Sequence, residues 1–204
     1  MKKCTTNIWL IGSIFLAHLL MFITFENKHD VFWYLYTATM LFLISYSIVN
    51  EKIDDELATK HFMIFGIISG LILYIIFVIG NWLLTILPGS LDADVTKLYR
   101  YFSPTLIWHY LVLIFILVPG EEIFWRGYVQ KKLRACTNGW KAIIIASILN
   151  ASVFYYANNT ALMLAAFVGS IFWGFLYEWK KSIPLLIISH LIFILLLAVF
   201  IPLY

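Results

Sequence analysis

The sequence predicts an all-α protein, a polytopic bundle of about seven transmembrane helices. Composition, the run-length of apolar residues and the placement of charge each point there. The 204 residues are 63% hydrophobic and only 12% charged, with a mean hydropathy of +0.91. A soluble domain carries about 25% charged residues, so this chain could not solvate a globule of its size. A water-soluble enzyme, a nucleic-acid binder and a disordered chain are thereby excluded.

About 20 apolar residues cross a bilayer as a helix. Clear runs of that kind are Ile8–Phe25, Val31–Val49, Phe62–Leu87 and Ile183–Leu203. Thr105–Val118, Ala142–Ala157 and Ala161–Tyr177 are shorter and reach spanning length by borrowing their less apolar flanks. Phe62–Leu87 is long enough to tilt or break, which leaves six or eight spans open beside seven. The first run follows Met1-Lys2-Lys3 and is too long for a signal-peptide core, with no small-x-small cleavage site after it. It reads as a retained helix.

Lys and Arg set the orientation. With a cytoplasmic N-terminus, the inside holds Lys2, Lys3, Lys52, Lys60, Lys131, Lys132, Arg134, Lys141, Lys180 and Lys181. The outside holds Lys28, Lys97 and Arg100, and Arg126 is left within the membrane. The C-terminus at Tyr204 then falls outside, in a multi-pass protein of the cell membrane. The net charge of +3 is topology rather than a nucleic-acid footprint, and no nucleic-acid partner is expected. Cys4 and Cys136 fall on the cytoplasmic side, where thiols stay reduced, and neither sits in a C-x-x-C pair.

Charged side chains inside a span are expensive and are functional candidates. Of eleven carboxylates, the two that fall within a span are Glu121 and Glu122, just after Pro119-Gly120. That Pro-Gly pair is expected to interrupt the fourth span, with a new helix beginning at Glu121. Glu122 and Arg126 are spaced i,i+4 and can pair along one face, while Glu121 points about 100° away. An acid left unpaired beside a like charge is suited to act as a general base on water. The structural alternative is two acids favouring a helix N-terminus, with an ordinary ion pair to Arg126.

Among the histidines, His29 and His61 are loop residues, and His18 reads as a satisfied core or interfacial residue. His109 lies about 18 Å of helix rise from the acids and cannot share their site unless the chain doubles back. His190 lies about 12 Å into the last span, a depth that can match the acids, although on the residues alone a core role is the first reading. Asn150, Ser152 and Asn158, in or at the end of the fifth span, read first as helix–helix glue. Gly66-x-x-x-Gly70, Ala165-x-x-x-Gly169 and Ser170-x-x-x-Gly174 read as close-packing faces. The aromatic content, including Trp173 and Trp179, fits interfacial belts and packing.

Glu121-Glu122-Ile123-Phe124-Trp125-Arg126, followed by Gly127-Tyr128-Val129-Gln130, resembles the first motif of the CPBP intramembrane proteases. This is the CAAX-processing and bacteriocin-processing (Abi) group. The likeness continues through Gly174-Phe175-Leu176-Tyr177 and Ile183-Pro184 to Ser189-His190, roughly residues 104–200. It divides the chain into residues 1–103, about three N-terminal spans, and residues 104–204, a protease-like core.

The resemblance implies that Glu121 activates the attacking water and that Glu122 and Arg126 fill the motif's second acid and arginine. It also implies that His190 stabilises the oxyanion. Other positions depart from the family. Its Phe-x-x-x-His motif falls ungapped on Asn150 and Phe154; shifted to keep Phe154, it ends on Asn158. Its His-x-x-x-Asn/Asp motif begins at His190 and ends at Ile194. Losing one oxyanion donor can cost about 100–1000-fold. Asn150, Phe154, Asn158 and Ile194 are therefore the positions standing in for missing motif residues. A metal would find only Glu121, Glu122 and His190, with Glu122 committed to Arg126, so no tightly bound zinc and no other cofactor are expected.

Two functions follow as expectations. One is an intramembrane endopeptidase cutting a membrane-associated or secreted peptide, or a membrane protein. The other is a catalytically impaired relative that binds a peptide as an immunity or assembly scaffold. Nothing in the sequence identifies prenyl-cysteine recognition. A transporter is less well supported, because no inverted repeat is visible.

Overall fold

The computed structural model describes residues 8–26, 29–53, 59–86 and 91–203. Seven helices among them are long and apolar enough to cross a membrane, as the sequence predicts. These are α1 (Ile8–Glu26), α2 (His29–Asn50), α3 (Thr59–Ile86), α5 (Ile107–Cys136), α6 (Gly139–Val153), α7 (Thr160–Lys180) and α8 (Ile183–Leu195). The eighth helix, α4 (Leu91–Phe102), is short and strongly amphipathic. Single turns extend α6 through Phe154–Ala157 and α8 through Leu196–Phe200. This is a multi-pass membrane protein.

The last three spans start on side-chain caps, which is why each begins where it does. The side chains of Asn138, Asn159 and Ser182 accept hydrogen bonds from the backbone N–H of Lys141, Leu162 and Leu185, at the starts of α6, α7 and α8. Pro184 in the first turn of α8 gives up no intrahelical bond there. The long run of the third span stays one helix of 28 residues. That is about 42 Å of rise against a hydrocarbon core of about 30 Å, so it spans with tilt rather than breaking.

The expected break at Pro119-Gly120 does not occur. Leu113–Leu117 winds as a π-helix, and the Val118 N–H bonds the Leu113 carbonyl, five residues back. This wider turn absorbs the ring and the missing donor of Pro119, so α5 runs on through the acids. A second π stretch, Ile123–Gln130, follows directly and contains Arg126. Such bulges inside α-helices are frequent at functional sites.

The core falls into two clusters on either side of α5. One gathers residues of α1, α2, α5 and α6 around Met21, Met40, Phe124 and Tyr128. The other gathers α3, α7 and α8 around Leu73, Trp173, Leu185 and Phe193. Gly66 and Gly70 let α3 lie directly on α8. A Cβ on Gly70 would stand 2.5 Å from the Ser189 carbonyl oxygen, and one on Gly66 would stand 2.8 Å from the Ile188 Cβ. The small-residue face of this span therefore packs as expected.

Lysines and arginines at the ends of α5 and α7 collect around two acids. Glu51 pairs with Lys132 at 2.6 Å and Lys131 at 3.2 Å. Glu178 pairs with Arg134 at 2.7 Å and Lys181 at 2.8 Å. Cys136 closes the last turn of α5, and Cys4 lies outside the described residues.

Candidate active site

The two adjacent acids have different surroundings. Glu122 is fully buried, and Arg126 is 1% exposed. Arg126 Nη1 lies 3.4 Å from Glu122 Oε1, and its Nε lies 3.4 Å from Oε2. The i,i+4 pairing survives the π-helical winding. His190 Nδ1 approaches the same Oε1 at 2.7 Å. The sequence left the role of His190 open between site and core. The bundle brings it to the acids by packing α8 against α5.

Trp173 on α7 clamps this group from one side. Its indole stacks on the His190 ring at 3.9 Å between centroids, and the Arg126 guanidinium sits 5.5 Å from a Trp173 ring centroid. The indole N–H donates to Ser189 Oγ at 3.2 Å, and Ser69 Oγ reaches the same hydroxyl at 3.0 Å. The imidazole is therefore fixed at one nitrogen and along one ring face.

Glu121 is only half-buried. It accepts a 2.5 Å hydrogen bond from the Tyr36 hydroxyl of α2. It also opens on a cavity of about 480 Å³ that Glu122 and Arg126 do not line. His190, Asn150, Phe154, Ile194 and Trp173 share that cavity with Glu121 and Tyr36, and the rest of its wall is overwhelmingly apolar. The apolar face of α4 (Leu91, Val95, Leu98, Phe102) closes one side of it. Asp94 ties α4 down: its carbonyl accepts from Asn159 Nδ2, and its carboxylate accepts from the Thr160 N–H.

The positions standing in for missing motif residues divide. Asn150 is 3% exposed and donates to Ser170 Oγ at 3.3 Å, while its Oδ1 has no hydrogen-bond partner. Phe154 and Ile194 contribute hydrocarbon to the cavity wall. Asn158 lies elsewhere, in the left-handed conformation (φ 49°) that ends the turn after α6. It lines a separate cavity of about 260 Å³ with Lys97 and Tyr101.

The remaining histidines have other work. His18 bonds Tyr156 and Ser152, each at 3.2 Å, tying α1 to the end of α6. His109 Nδ1 accepts from the Thr105 and Leu106 N–H groups, and its ring stacks on Trp33, which anchors the start of α5. Among the described residues no group of three His, Cys, Asp or Glu could hold a metal ion. With Arg126 and His190 both on Glu122, this donor set does not fit a zinc site.

Residues 103–196 match the family model described as Type II CAAX prenyl endopeptidase Rce1-like. This segment, a little under half of the chain, is similar to a CPBP-family domain. No curated protein and no solved structure matches the chain. The matched segment holds Glu121, Glu122, Arg126 and His190 as well as Asn150, Phe154, Asn158 and Ile194.

Two participants were not legible in the sequence. Tyr36 lies outside the matched segment, 85 residues from Glu121, in a span where one more aromatic raises no signal. Trp173 reads as a packing residue until the fold stacks it on His190.

Proposed function

We propose that the chain hydrolyses a peptide bond of a membrane-associated or secreted peptide, with Glu121 as the base that activates water. The observation that carries this reading is the division of labour between adjacent acids: Glu121 opens on the cavity, while Glu122 lies behind it with Arg126 and His190. Both oxygens of Glu122 face Arg126 or His190, whereas Glu121 meets the neutral Tyr36 hydroxyl.

In this mechanism Glu121 takes a proton from water as the water oxygen bonds to the substrate carbonyl carbon. The carbonyl π pair moves to oxygen, and His190 stabilises that oxyanion. With Nδ1 directed at Glu122, donation falls to Nε2 and requires the ring to carry both protons. On collapse the C–N bond breaks, and Glu121 returns its proton to the leaving amine. The unpaired Oδ1 of Asn150 can accept a hydrogen bond from the attacking water or from a substrate N–H, as part replacement for the missing histidine. Residues 104–204 would supply the chemistry, and residues 1–103 would wall the cavity.

A second reading rests on Phe154 and Ile194, which present hydrocarbon where the family motifs have polar groups. A peptide would then be held in the cavity without being cut, in an immunity or assembly role. Quantitative peptidomics of membranes and medium decides between the two. The strains lack the protein, carry it, or carry Glu121→Gln at matched expression. A peptide made by wild type alone supports hydrolysis. Wild type and Glu121→Gln matching each other, but not the deletion, overturns hydrolysis and supports binding.

A further inference from the structure

We propose that Tyr36 is a positioning residue for the base, holding one oxygen of Glu121 so that the other faces the bond to be cut. This rests on the hydrolytic reading above. A carboxylate facing an apolar cavity is costly to keep unless something hydrogen-bonds to it. The two groups that could have served are already taken, since Arg126 and His190 both bind Glu122. Among the described residues the hydrogen bond that Glu121 does make is from Tyr36.

The chemistry of that donor matters. An arginine or lysine would hold the carboxylate and oppose its taking up a proton. A phenol donates one charge-assisted hydrogen bond and carries no charge of its own. One oxygen is thereby anchored, and the second keeps its lone pairs for the proton of water. Tyr36 neither gains nor loses a proton in the cycle.

The backbone is arranged to bring the hydroxyl there. Gly120, directly before Glu121, has no side chain, and α2 crosses α5 at that point. A Cβ on Gly120 would come within 3.1 Å of Met40 Cβ and 3.2 Å of Ile44 Cδ1. Met40 sits one turn beyond Tyr36 on α2, so the close crossing sets the height of the phenol against the acid. Phe32 and Phe25, with centroids 5.5 Å and 6.5 Å from the Tyr36 ring, fix its plane. A helix outside the matched segment thus completes the site.

Tyr36→Phe removes one oxygen and keeps the ring. The test uses the full chain in host membranes, with the host's own membrane and secreted peptides as the probe. The arms are wild type, Glu121→Gln and Tyr36→Phe at matched expression. The fragment found with wild type is then copied as a synthetic peptide for kinetics on the purified proteins. Misorienting a catalytic group costs about 10–100-fold.

The expected result is that Glu121→Gln abolishes the fragment. Tyr36→Phe yields the same fragment with kcat about 10–100-fold lower, KM unchanged and melting in detergent unchanged. A shift in KM with kcat intact would mean that Tyr36 only binds peptide, and it overturns the proposal. So does a Tyr36→Phe protein at wild-type kcat while Glu121→Gln is dead. A fragment that persists in Glu121→Gln, or never forms with wild type, overturns the hydrolytic reading itself and with it any role for Tyr36 in hydrolysis.

Discussion

Glu122 and His190 lie 68 residues apart in the chain, yet the carboxylate Oε1 and the imidazole Nδ1 stand 2.7 Å apart in the bundle core. The contact ties α5 to α8. It also leaves the far side of the imidazole to the cavity, since Trp173 covers one ring face and Glu122 takes Nδ1. Whatever the cavity receives therefore meets a histidine whose orientation is decided before anything binds.

Glu122 and Arg126 should behave as a unit. Replacing Glu122 by Leu strands a buried guanidinium and should destabilise the protein by about 3–5 kcal/mol. Replacing both by Leu should cost much less than the two single changes together. Thermal melting of the three variants in detergent measures the coupling; additive losses would remove Glu122 as the partner of Arg126.

Ile194 sits one helical turn beyond His190 and lines the same cavity. Ile194→Asn places an amide donor where the family motif carries one. If Glu121 cleaves, product formation should rise about 10–100-fold. The rate of fragment release in the peptidomic assay checks this. A rise that Glu121→Gln does not cancel would assign the gain to something other than the proposed base.

Gly70→Ala should both loosen the bundle and disable the site. Its Cβ would stand 2.5 Å from the Ser189 carbonyl oxygen, a backbone atom that cannot swing aside. Overpacking of this kind costs about 1–3 kcal/mol. The residue next to Ser189 is His190, so lower melting and lost activity should appear together. Gly80→Ala, where a Cβ meets nothing within 4 Å, is the control.

Acid should weaken the contact between Glu51 and the end of α5. Partial burial opposes its ionisation, but hydrogen bonds and charge from Lys132 and Lys131 outweigh this and hold the carboxyl below its ordinary range. A carboxyl lowered by folding stabilises the native state at neutral pH, and that contribution fades as pH falls through its folded value. Wild type should therefore exceed Glu51→Gln in stability at pH 7 and converge with it below the ordinary carboxylate range. Melting temperatures of both proteins across that interval test the sign.

Sequence reading reached the span count and the first motif because both are written in contiguous residues. Hydropathy needs about 20 neighbours, and Glu121, Glu122 and Arg126 lie within six. It reached His190 only as one of two alternatives, because depth in a span does not say which face a residue shows. The continuity of α5 through Pro119 depends on a π-turn at Leu113–Leu117, a backbone register that apolar residues do not encode in composition. Tyr36 and Trp173 depend on how helices cross, and so do the different fates of Asn150 and Asn158. α4 raised no signal, because its 12 residues are too few and too polar to register as a span.

The unequal burial of the two acids has a consequence for how such a chain changes over generations. Glu122 is held by folding, since its loss leaves a charge sealed in the core. Among the described residues Glu121 holds no charge partner, and the bundle would stand without it. Drift away from peptide cutting would thus erase Glu121 early and spare Glu122 for long afterwards. In a lineage of such chains, the half-exposed acid records selection on chemistry, and the sealed one records selection on architecture.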